Sequence, residues 1–489
     1  MPEGFVKRYK ELPVAVKASF FFILCGILKD AVDILTTPVF TRILTTEEYG
    51  LFSVYNSYYQ VIRVIVSLYL FSDGFHVGMA RFPEDRESFT SAIQGLGTGL
   101  FVIWISVAVC ASKLWVKLTG LDSTLLFLLI IQTMFTIPLN CWQQKKKYVY
   151  EYKDVTWLTA IYLLLQPAVG LLLIKLNPGQ WDNGLLRIYG GVGVQILFGI
   201  VLYIIQFIRK PVFYKKPFWI FALKTNIPLL PHYLSQIILN HADRLMIDSF
   251  VGKTQTAIYT IGHAAAFVLF AVTSNLNSTF VPWLYEKLRR NETEGITHIT
   301  SILCSIVGTL SVVLVLIAPE AIGVLGGEKY ADSVWAVPPL TVAVYLTFLY
   351  SLFADVELYY GKNYYVLISS FLGSIANIVL NWFLIPLFGF VAAAYTTAVG
   401  YLVMSICHYL FVIKTCKQNN IRITKLFSIK VLIIVTLVTV LCCGITTLLY
   451  NKILIRYFLG VIVICVAFMK RTELLSIYRD VWKAKENNY

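Results

Sequence analysis

Ten stretches of this 489-residue chain contain no Asp, Glu, Lys or Arg and approach or exceed the length of a membrane span. They cover residues 88–112, 123–144, 155–174, 188–208, 225–242, 254–285, 295–319, 333–354, 363–413 and 431–451. A helix needs about 20 mostly apolar residues to cross a bilayer. The stretch 363–413 is too long for one helix, and Pro386 and Gly389 within it predict a tight turn. These stretches therefore predict eleven membrane-spanning helices.

Three further segments complete the prediction. Residues 14–41 form an apolar segment that contains Lys29, Asp30 and Asp33, residues 50–72 contain Arg63, and residues 453–469 make a short last span. The first segment has internal charges and no small-residue cleavage site, so we expect a retained helix and not a signal peptide. The sequence thus predicts an all-α, polytopic membrane protein with about 14 transmembrane helices.

The composition agrees with a membrane protein and excludes several other classes. The chain is 58% hydrophobic and 14% charged, whereas soluble proteins are about 45–50% apolar and about 25% charged. This excludes a soluble enzyme, a disordered chain and a nucleic-acid-binding protein, although the net charge is +14. We expect no cofactor and no metal site, because the nine cysteines include no CxxC pair and no His/Cys ligand spacing.

The positive charges predict the orientation. With the N-terminus in the cytoplasm, 29 of the 41 Lys and Arg residues fall in cytoplasmic segments, nine fall outside, and three lie within helices. Cytoplasmic loops of membrane proteins are enriched in Lys and Arg. We therefore expect a multi-pass protein of a bacterial cytoplasmic membrane with both termini in the cytoplasm.

The predicted spans divide into two equal halves. Residues 1–210 and 211–415 are predicted to form two six-helix lobes, and residues 416–489 to add two helices and a cytoplasmic tail. Residues 43–56 (ILTTEEYGLFSVYN) align weakly with residues 250–263 (FVGKTQTAIYTIGH) at an offset of 207. Both segments fall between the first two helices of a half. This supports a pseudo-symmetric pair of lobes with the same orientation in the membrane.

Polar side chains recur at helical spacing within several spans. A single polar stripe is typical of a contact between helices, whereas several stripes from both halves favour a shared hydrated cavity suited to sugar hydroxyls. The four stripes are Asn56, Gln60, Arg63 and Ser67; Gln132, Thr136 and Asn140; His232, Gln236, Asn240 and Asp243; and Ser370, Ser374, Asn377 and Asn381.

Charged residues inside spans are functional candidates, because each costs about 2.5–3.5 kcal/mol at a helix centre. Lys29 and Asp33 share a helix face, so they form either a self-neutralising ion pair or a cation site gated by a carboxylate. Arg244 pairs with Asp248 four residues on, or else remains available to an anion. Asp30, Asp33 and Asp243 are candidates for gating or for coupling to an ion.

Three segments resemble those of a known family. The start of the chain, Lys17-Ala18-Ser19 with residues 36–50 (TTPVFTRILTTEEYG), resembles the opening of Wzx-type polysaccharide flippases. Residues 240–247 (NHADRLMI) are similar to the seventh helix of that family, and residues 384–394 (LIPLFGFVAAA) are similar to its turn between helices 11 and 12. The family belongs to a superfamily with multidrug exporters of the MATE type and lipid II flippases. Lys29-Asp30 could occupy the place of a basic-acidic pair of the lipid II flippases, with lysine in place of arginine.

The resemblance implies a V-shaped pair of lobes around a central cavity. It also implies a transporter, not an enzyme, that moves undecaprenyl-pyrophosphate-linked oligosaccharide repeat units to the outer leaflet for O-antigen, capsule or exopolysaccharide synthesis. Lys29, Arg63 and Arg244 would bind the pyrophosphate. The sugar-facing residues would be Asn56, Gln60, His232, Gln236, Asn240, Ser374, Asn377 and Asn381.

The expected partners are the lipid-linked oligosaccharide, membrane lipids, and a polymerase with other polysaccharide assembly proteins. A MATE-like drug or cation antiporter and a lipid II flippase remain as alternatives. A membrane glycosyltransferase or polymerase is a further alternative, although the predicted outside loops are short.

Overall fold

A computed structural model of the chain describes residues 13–469. These residues form eighteen α-helices and four short 3-10 helices, and no β-strand occurs between residues 13 and 469. The predicted all-α class is therefore confirmed. Two compact units divide the chain, one ending at His241 and the other beginning at Ala242.

Unit 1 contains nine helices and the first half of a tenth. They are α1 (Val14–Ile43), α2 (Thr46–Ser67), α3 (Asp73–Arg81), α4 (Arg86–Cys110), α5 (Ser112–Thr119), α6 (Ser123–Tyr148), α7 (Tyr152–Leu176), α8 (Asn183–Arg209), α9 (Lys216–Asn226) and α10 (Leu230–Phe250). Short 3-10 helices precede α4 (Pro83–Asp85) and α10 (Ile227–Leu229).

Unit 2 contains the second half of α10 and eight further helices. They are α11 (Lys253–Arg289), α12 (Ile296–Leu316), α13 (Ala318–Leu325), α14 (Val337–Tyr359), α15 (Asn363–Phe388), α16 (Phe390–Gln418), α17 (Ile429–Thr447) and α18 (Ile453–Met469). The 3-10 helices Glu328–Trp335 and Ile423–Lys425 precede α14 and α17.

Ten of these helices are long and apolar enough to cross a membrane, namely α4, α6, α7, α8, α11, α12, α14, α15, α16 and α17. The predicted turn after Pro386 is confirmed, because α15 ends at Phe388 and α16 begins at Phe390. Gly389 between them has a φ of 67°, which favours glycine. The other four predicted spans are helical too. Of these, α1, α2 and α10 contain the predicted intramembrane charges, and α18 is shorter.

The boundary between the two compact units lies inside α10. The helix α9, which follows the basic run at residues 209–216, packs within unit 1. Phe218 and Ala222 of α9 are buried in one hydrophobic core with Phe75 of α3 and Phe89 of α4. The rings of Phe89 and Phe218 meet edge to face at 5.5 Å, a favourable geometry for aromatic pairs.

The centre of unit 1 contains a closed network of polar side chains on α2, α6 and α8. Tyr55 donates to Gln132 Oε1 at 2.8 Å, and Gln132 donates to Gln195 Oε1 at 2.9 Å. Gln195 donates to the Tyr59 and Thr136 hydroxyls at 2.8 and 2.6 Å. Two members of the predicted polar stripe on α6, Gln132 and Thr136, are thus used to join helices.

Small residues allow α7 and α8 to approach closely. A Cβ atom on Gly190 of α8 would lie 2.6 Å from the backbone N and Cα atoms of Gly170 of α7. Small residues at such crossings are typical of membrane helices, whose association depends on van der Waals packing. Gly193, one turn further along α8, has open space where its Cβ would be.

The two segments that form the weak internal repeat both begin a helix. The start of α2 at Thr46 and the start of α11 at Lys253 are separated by 207 residues, the offset of the sequence repeat. Thr45 and Glu48 form a capping box at the start of α2, whereas Gly252, with a φ of 115°, precedes α11. The repeat therefore marks equivalent helix starts with different caps.

An ion pair attaches α18 to α12 and α13. Arg456 is 3% exposed and donates from Nη1 to the Leu316 carbonyl at 2.7 Å and to Glu320 Oε2 at 2.9 Å. Its Nη2 donates to Glu320 Oε1 at 2.8 Å, which completes a bidentate pair. These hydrogen bonds hold the pKa of the Glu320 carboxyl below its ordinary value.

The contact between Gly170 and Gly190 predicts a position-specific cost for a methyl group. Gly190→Ala should destabilise the protein by about 1–3 kcal/mol, because the added atom forces two backbones apart. Gly193→Ala is the matched control and should be neutral or stabilising by up to about 1 kcal/mol. Thermal unfolding in detergent measures both effects. Equal melting temperatures for the two variants would contradict the packing described.

The Glu320–Arg456 pair predicts a pH-dependent contribution to stability. Since the folded-state pKa of Glu320 is lowered, its contribution is fully present above the unfolded pKa, near 4.5, and disappears as the pH falls through the folded value. Glu320→Gln should therefore lower the melting temperature at pH 7, and the difference from wild type should shrink below about pH 4.5. Glu328→Gln, an exposed acid nearby, is the control and should show little effect at either pH.

Candidate functional site

Arg63 lies on α2, half-buried, and is held by two tyrosines. Its guanidinium donates from Nη2 to the Tyr69 hydroxyl at 3.3 Å. Its Cζ lies 5.9 Å from the centre of the Tyr59 ring and 5.6 Å from that of Tyr69. Its Nε is buried without a hydrogen-bond partner, and no carboxylate of residues 13–469 forms an ion pair with it. Arg63 is therefore a cation in a predicted span, stabilised mainly by aromatic faces.

The end of α2 brings Tyr69 back onto Arg63. Leu68 and Tyr69 have φ values of 48° and 51°, in the left-handed region that residues other than glycine rarely adopt. This pair of residues terminates the helix and reverses the chain direction. Uncommon backbone of this kind persists where the surrounding contacts compensate for its cost and is frequent at functional sites.

A second tyrosine extends this cluster to α10 within unit 1. The rings of Tyr69 and Tyr233 are 4.7 Å apart, and the Tyr233 hydroxyl donates to Asp73 Oδ2 at 2.6 Å. The ring of His232 lies 5.8 Å from that of Tyr233. We call Arg63, Tyr69, Asp73, His232 and Tyr233 the Arg63 cluster. It joins two residues predicted from the sequence, Arg63 and His232, to three others.

Lys29 forms a separate, exposed group on α1. Its Nζ lies 3.1 Å from Asp33 Oδ2 and 3.7 Å from Asp30 Oδ1. The three side chains are 60%, 66% and 45% exposed, in the order Lys29, Asp33 and Asp30. The i, i+4 ion pair considered from the sequence is thus present, and Asp30 also lies within reach of the lysine. The group carries one positive and two negative charges.

In unit 2, four helices converge on Asp243, which is 2% exposed. Its Oδ2 accepts hydrogen bonds from the Tyr259 and Thr397 hydroxyls, both at 2.6 Å. Its Oδ1 accepts from Asn381 Nδ2 at 2.7 Å and from Asn377 Nδ2 at 3.2 Å. We call these five residues the Asp243 site. They come from α10, α11, α15 and α16.

The Asp243 carboxyl thus lies within hydrogen-bond distance of four polar side chains. The neighbouring Arg244 is 8% exposed; its Nε donates to Thr260 at 3.3 Å, and its Cζ lies 5.8 Å from the Tyr259 ring centre. A buried carboxylate in a membrane span is a functional candidate because its desolvation is costly.

The remaining predicted sugar-facing residues lie in different surroundings. Asn56, Gln60 and Gln236 are half-buried, and Asn240 is exposed and donates to the Gln236 carbonyl. Ser374 is buried and donates to the Ser370 carbonyl within α15. Asn377 and Asn381 are fully buried in the Asp243 site. The structure thus places the α15 residues inside unit 2, and their contact with sugars remains a prediction.

Sequence reasoning missed most partners of the predicted charges. Tyr69, Tyr233, Tyr259 and Thr397 were not selected, because tyrosine and threonine are common throughout membrane spans. His408 in unit 2 is a further missed partner: it is fully buried, and its Nδ1 lies 3.0 Å from Oε2 of Glu357, an acidic residue that the sequence places in or near a span. The sequence shows that a charged residue lies in a span, but it does not show which side chain pairs with that residue.

Comparisons with known proteins were made on sequence and on structure. No family model matches the chain. It is 21% identical over 366 residues to an uncharacterized membrane protein of Haemophilus influenzae, covering 71% of this chain and 85% of the relative. It is also 21% identical over 358 residues to Lsg locus putative protein 1 of the same organism, with the same coverage.

The solved structures that resemble this chain include a flippase and membrane transporters. The lipid II flippase MurJ in an inward closed conformation has a TM-score of 0.71 at 14% identity, over 94% of this chain and all of MurJ. A MOP superfamily transporter from Pyrococcus furiosus has a TM-score of 0.54 at 12% identity, over 83% of this chain and 95% of that one. An inward-facing MATE transporter has a TM-score of 0.52 at 12% identity, over 81% and 99% of the two chains.

The chain has the polytopic transporter fold of MurJ and the MATE proteins. It is a multi-pass membrane protein, as its spans and its similarity to the Haemophilus membrane protein indicate. Structural similarity at these identities shows the fold alone, and the function has to be argued from the residues of this chain.

Proposed function

We propose that this protein is a flippase for undecaprenyl-pyrophosphate-linked oligosaccharide repeat units used in capsule, O-antigen or exopolysaccharide synthesis. It would move them by alternating access from the cytoplasmic to the outer leaflet of a bacterial cytoplasmic membrane, with both termini in the cytoplasm. The main support for this proposal is the environment of Arg63. This cation in a predicted span has a buried Nε and no carboxylate partner in the described chain. The transporter fold supports the same reading.

The chemistry of the substrate fits the Arg63 cluster. A pyrophosphate needs a cation and hydrogen-bond donors, and an arginine presents its donors in a planar fork that matches phosphate oxygens. The hydroxyls of Tyr69 and Tyr233 and the ring of His232 add polar groups near it. The half-buried Asn56 and Gln60 on α2 and the polar residues of α10 are then the candidates for sugar contacts.

Lys29 takes a secondary role in this proposal. Its charge is compensated by Asp33 and Asp30, so a phosphate must displace at least one carboxylate to reach it. Asp33 and Asp30 would thus act as a gate. Arg244 contacts Tyr259 and Thr260 beside the Asp243 site, and we propose that it acts with the coupling residues as well as on the pyrophosphate.

The Asp243 site is proposed to couple transport to a small monovalent cation. Rotation of the amides of Asn377 and Asn381 and of the Thr397 hydroxyl would present oxygen atoms beside the carboxylate, and hard cations prefer such oxygen ligands. The orientation of an amide is set by its surroundings and changes with them. Binding of the cation to the carboxylate would neutralise a buried charge and so favour one conformation of unit 2.

A cation antiporter of the MATE type is the second candidate. The observation that favours it is the Lys29 group, which has two carboxylates for one ammonium and exposes all three side chains. A lipid II flippase differs from our proposal only in the glycan carried. The proposed partners are the lipid-linked oligosaccharide, the surrounding lipids, and a polymerase with other polysaccharide assembly proteins.

The role of Arg63 predicts a loss of flipping on removal of its charge. In proteoliposomes with a fluorescent polyprenyl-pyrophosphate sugar, Arg63→Gln should slow translocation about 10- to 100-fold, the equivalent of one charge-assisted hydrogen bond. Arg63→Lys should slow translocation less than Arg63→Gln does, because lysine keeps the positive charge although it lacks the planar fork of donors. Lys175→Gln, an exposed lysine at the end of α7, is the control and should transport at the wild-type rate. Wild-type flipping rates in Arg63→Gln would overturn the assignment, and uptake of cationic dyes without lipid flipping would favour the antiporter.

The coupling role of Asp243 predicts stabilisation by a cation. Replacing choline by sodium at a hundredfold excess over the dissociation constant should stabilise the wild type by about 2.7 kcal/mol. Asp243→Asn should lose this response, whereas Asp248→Asn on the same helix should keep it. Thermal unfolding in detergent measures the response. An unchanged sodium response in Asp243→Asn would refute the site while leaving the flippase proposal intact.

A further inference from the structure

Unit 1 contains an apolar groove that the proposed transport mechanism does not use. It has a cavity volume of about 160 Å³ and is lined by α2, α4, α5 and α6. Its walls include Ile62, Val66, Trp104, Ala108, Trp115 and Leu126.

The short helix α5 closes one end of this groove and has three distinct faces. Ser112, Trp115 and Thr119 line the groove. Leu114 and Leu118 are 57% and 67% exposed. Lys113 and Lys117 are exposed on a third face, and neither forms an ion pair with another described residue. A short helix with exposed leucines and a lysine pair is typical of one that lies in the interface of a bilayer.

The surface beside the groove is also apolar. Ile103 and Val109 of α4 are 59% and 60% exposed, and α4 is one of the helices suited to cross the membrane. These exposed side chains neighbour Trp104 and Ala108 of the groove wall, so we expect the groove to open toward hydrocarbon. A lipid chain is the ligand that such a groove can receive directly from its surroundings.

A lipid chain gains little hydrophobic free energy on moving from bilayer to groove, because both are apolar. Selectivity must therefore come from the headgroup. Lys113 and Lys117 lie one turn apart, and two adjacent lysines attract a phosphate that carries a net negative charge. Acidic phospholipids are in large excess over any carrier lipid in a bacterial membrane. The positive charge of the two lysines and the abundance of acidic phospholipids together favour an acidic phospholipid as the occupant.

We propose that this groove binds one acidic phospholipid of the bilayer, with an acyl chain along α2 and the headgroup at Lys113 and Lys117. Ile62 and Val66, which line the groove, flank Arg63 on α2. The bound chain fills the space beside the helix that carries Arg63. Acidic lipid would thus stabilise the position of that helix.

Native mass spectrometry of the full chain in detergent tests the site, with phosphatidylglycerol as the probe. The wild type should retain one phosphatidylglycerol in preference to neutral phosphatidylcholine. Lys113→Gln and Lys117→Gln should each weaken retention about fivefold, the effect of one lysine near an acidic lipid surface. Lys175→Gln is the matched control. Equal retention of the two lipids, or no change in either glutamine variant, would overturn the proposal.

A second pair of variants tests the groove itself. Ala108→Trp places a large side chain in the groove and should abolish specific retention, whereas Val109→Trp, one residue on and facing outward, should not.

If Ala108→Trp fails to fold, the fluorescence quenching of Trp104 and Trp115 by phosphatidylglycerol with brominated chains replaces this experiment. That quenching should fall in Trp104→Phe/Trp115→Phe and be reversed by unlabelled phosphatidylglycerol. Displacement by polyprenyl phosphate at lower concentrations than by phosphatidylglycerol would show that the carrier lipid is the occupant and refute the proposal.

Discussion

The interior of a bilayer offers little water, so a polar or charged side chain within a span is stabilised by a partner in the protein or by a water-filled cavity. In unit 1 the Gln132 and Gln195 side-chain amides form hydrogen bonds with each other and with three hydroxyl groups. In unit 2 four donors surround the Asp243 carboxylate. These interactions decide which helices meet and at what height, because a shift of one turn would leave buried groups unpaired at a cost of about 1–3 kcal/mol each.

The two units satisfy this requirement with charges of opposite sign. Unit 1 places the Arg63 guanidinium against the rings of Tyr59 and Tyr69. Unit 2 places the Asp243 carboxylate among amides and hydroxyls. The weak repeat at an offset of 207 thus links two halves whose polar centres differ in chemistry.

Much of the helical layout was predictable because it depends on local properties. The spans follow from apolar length, and the turn between α15 and α16 follows from Gly389. The polar stripes were also visible, but their partners were not. The spacing of Asn377 and Asn381 predicts a shared helix face, and the structure adds that both donate to Asp243. The distance along the chain between these residues is too large for any local pattern to reveal the contact.

The sequence by itself determined that the chain is an all-α membrane protein, where most of its spans lie, and which charges stand within them. Hydropathy and helix periodicity are properties of short segments, so they can be read without knowing the fold. The tertiary structure alone decided that Tyr69 turns back onto Arg63 through two left-handed residues, and that α9 belongs to unit 1. It also decided that Asp243 has four hydrogen-bond donors. Such contacts depend on which helices pack together, and packing is settled by shape and by the pairing of buried polar groups across the whole unit.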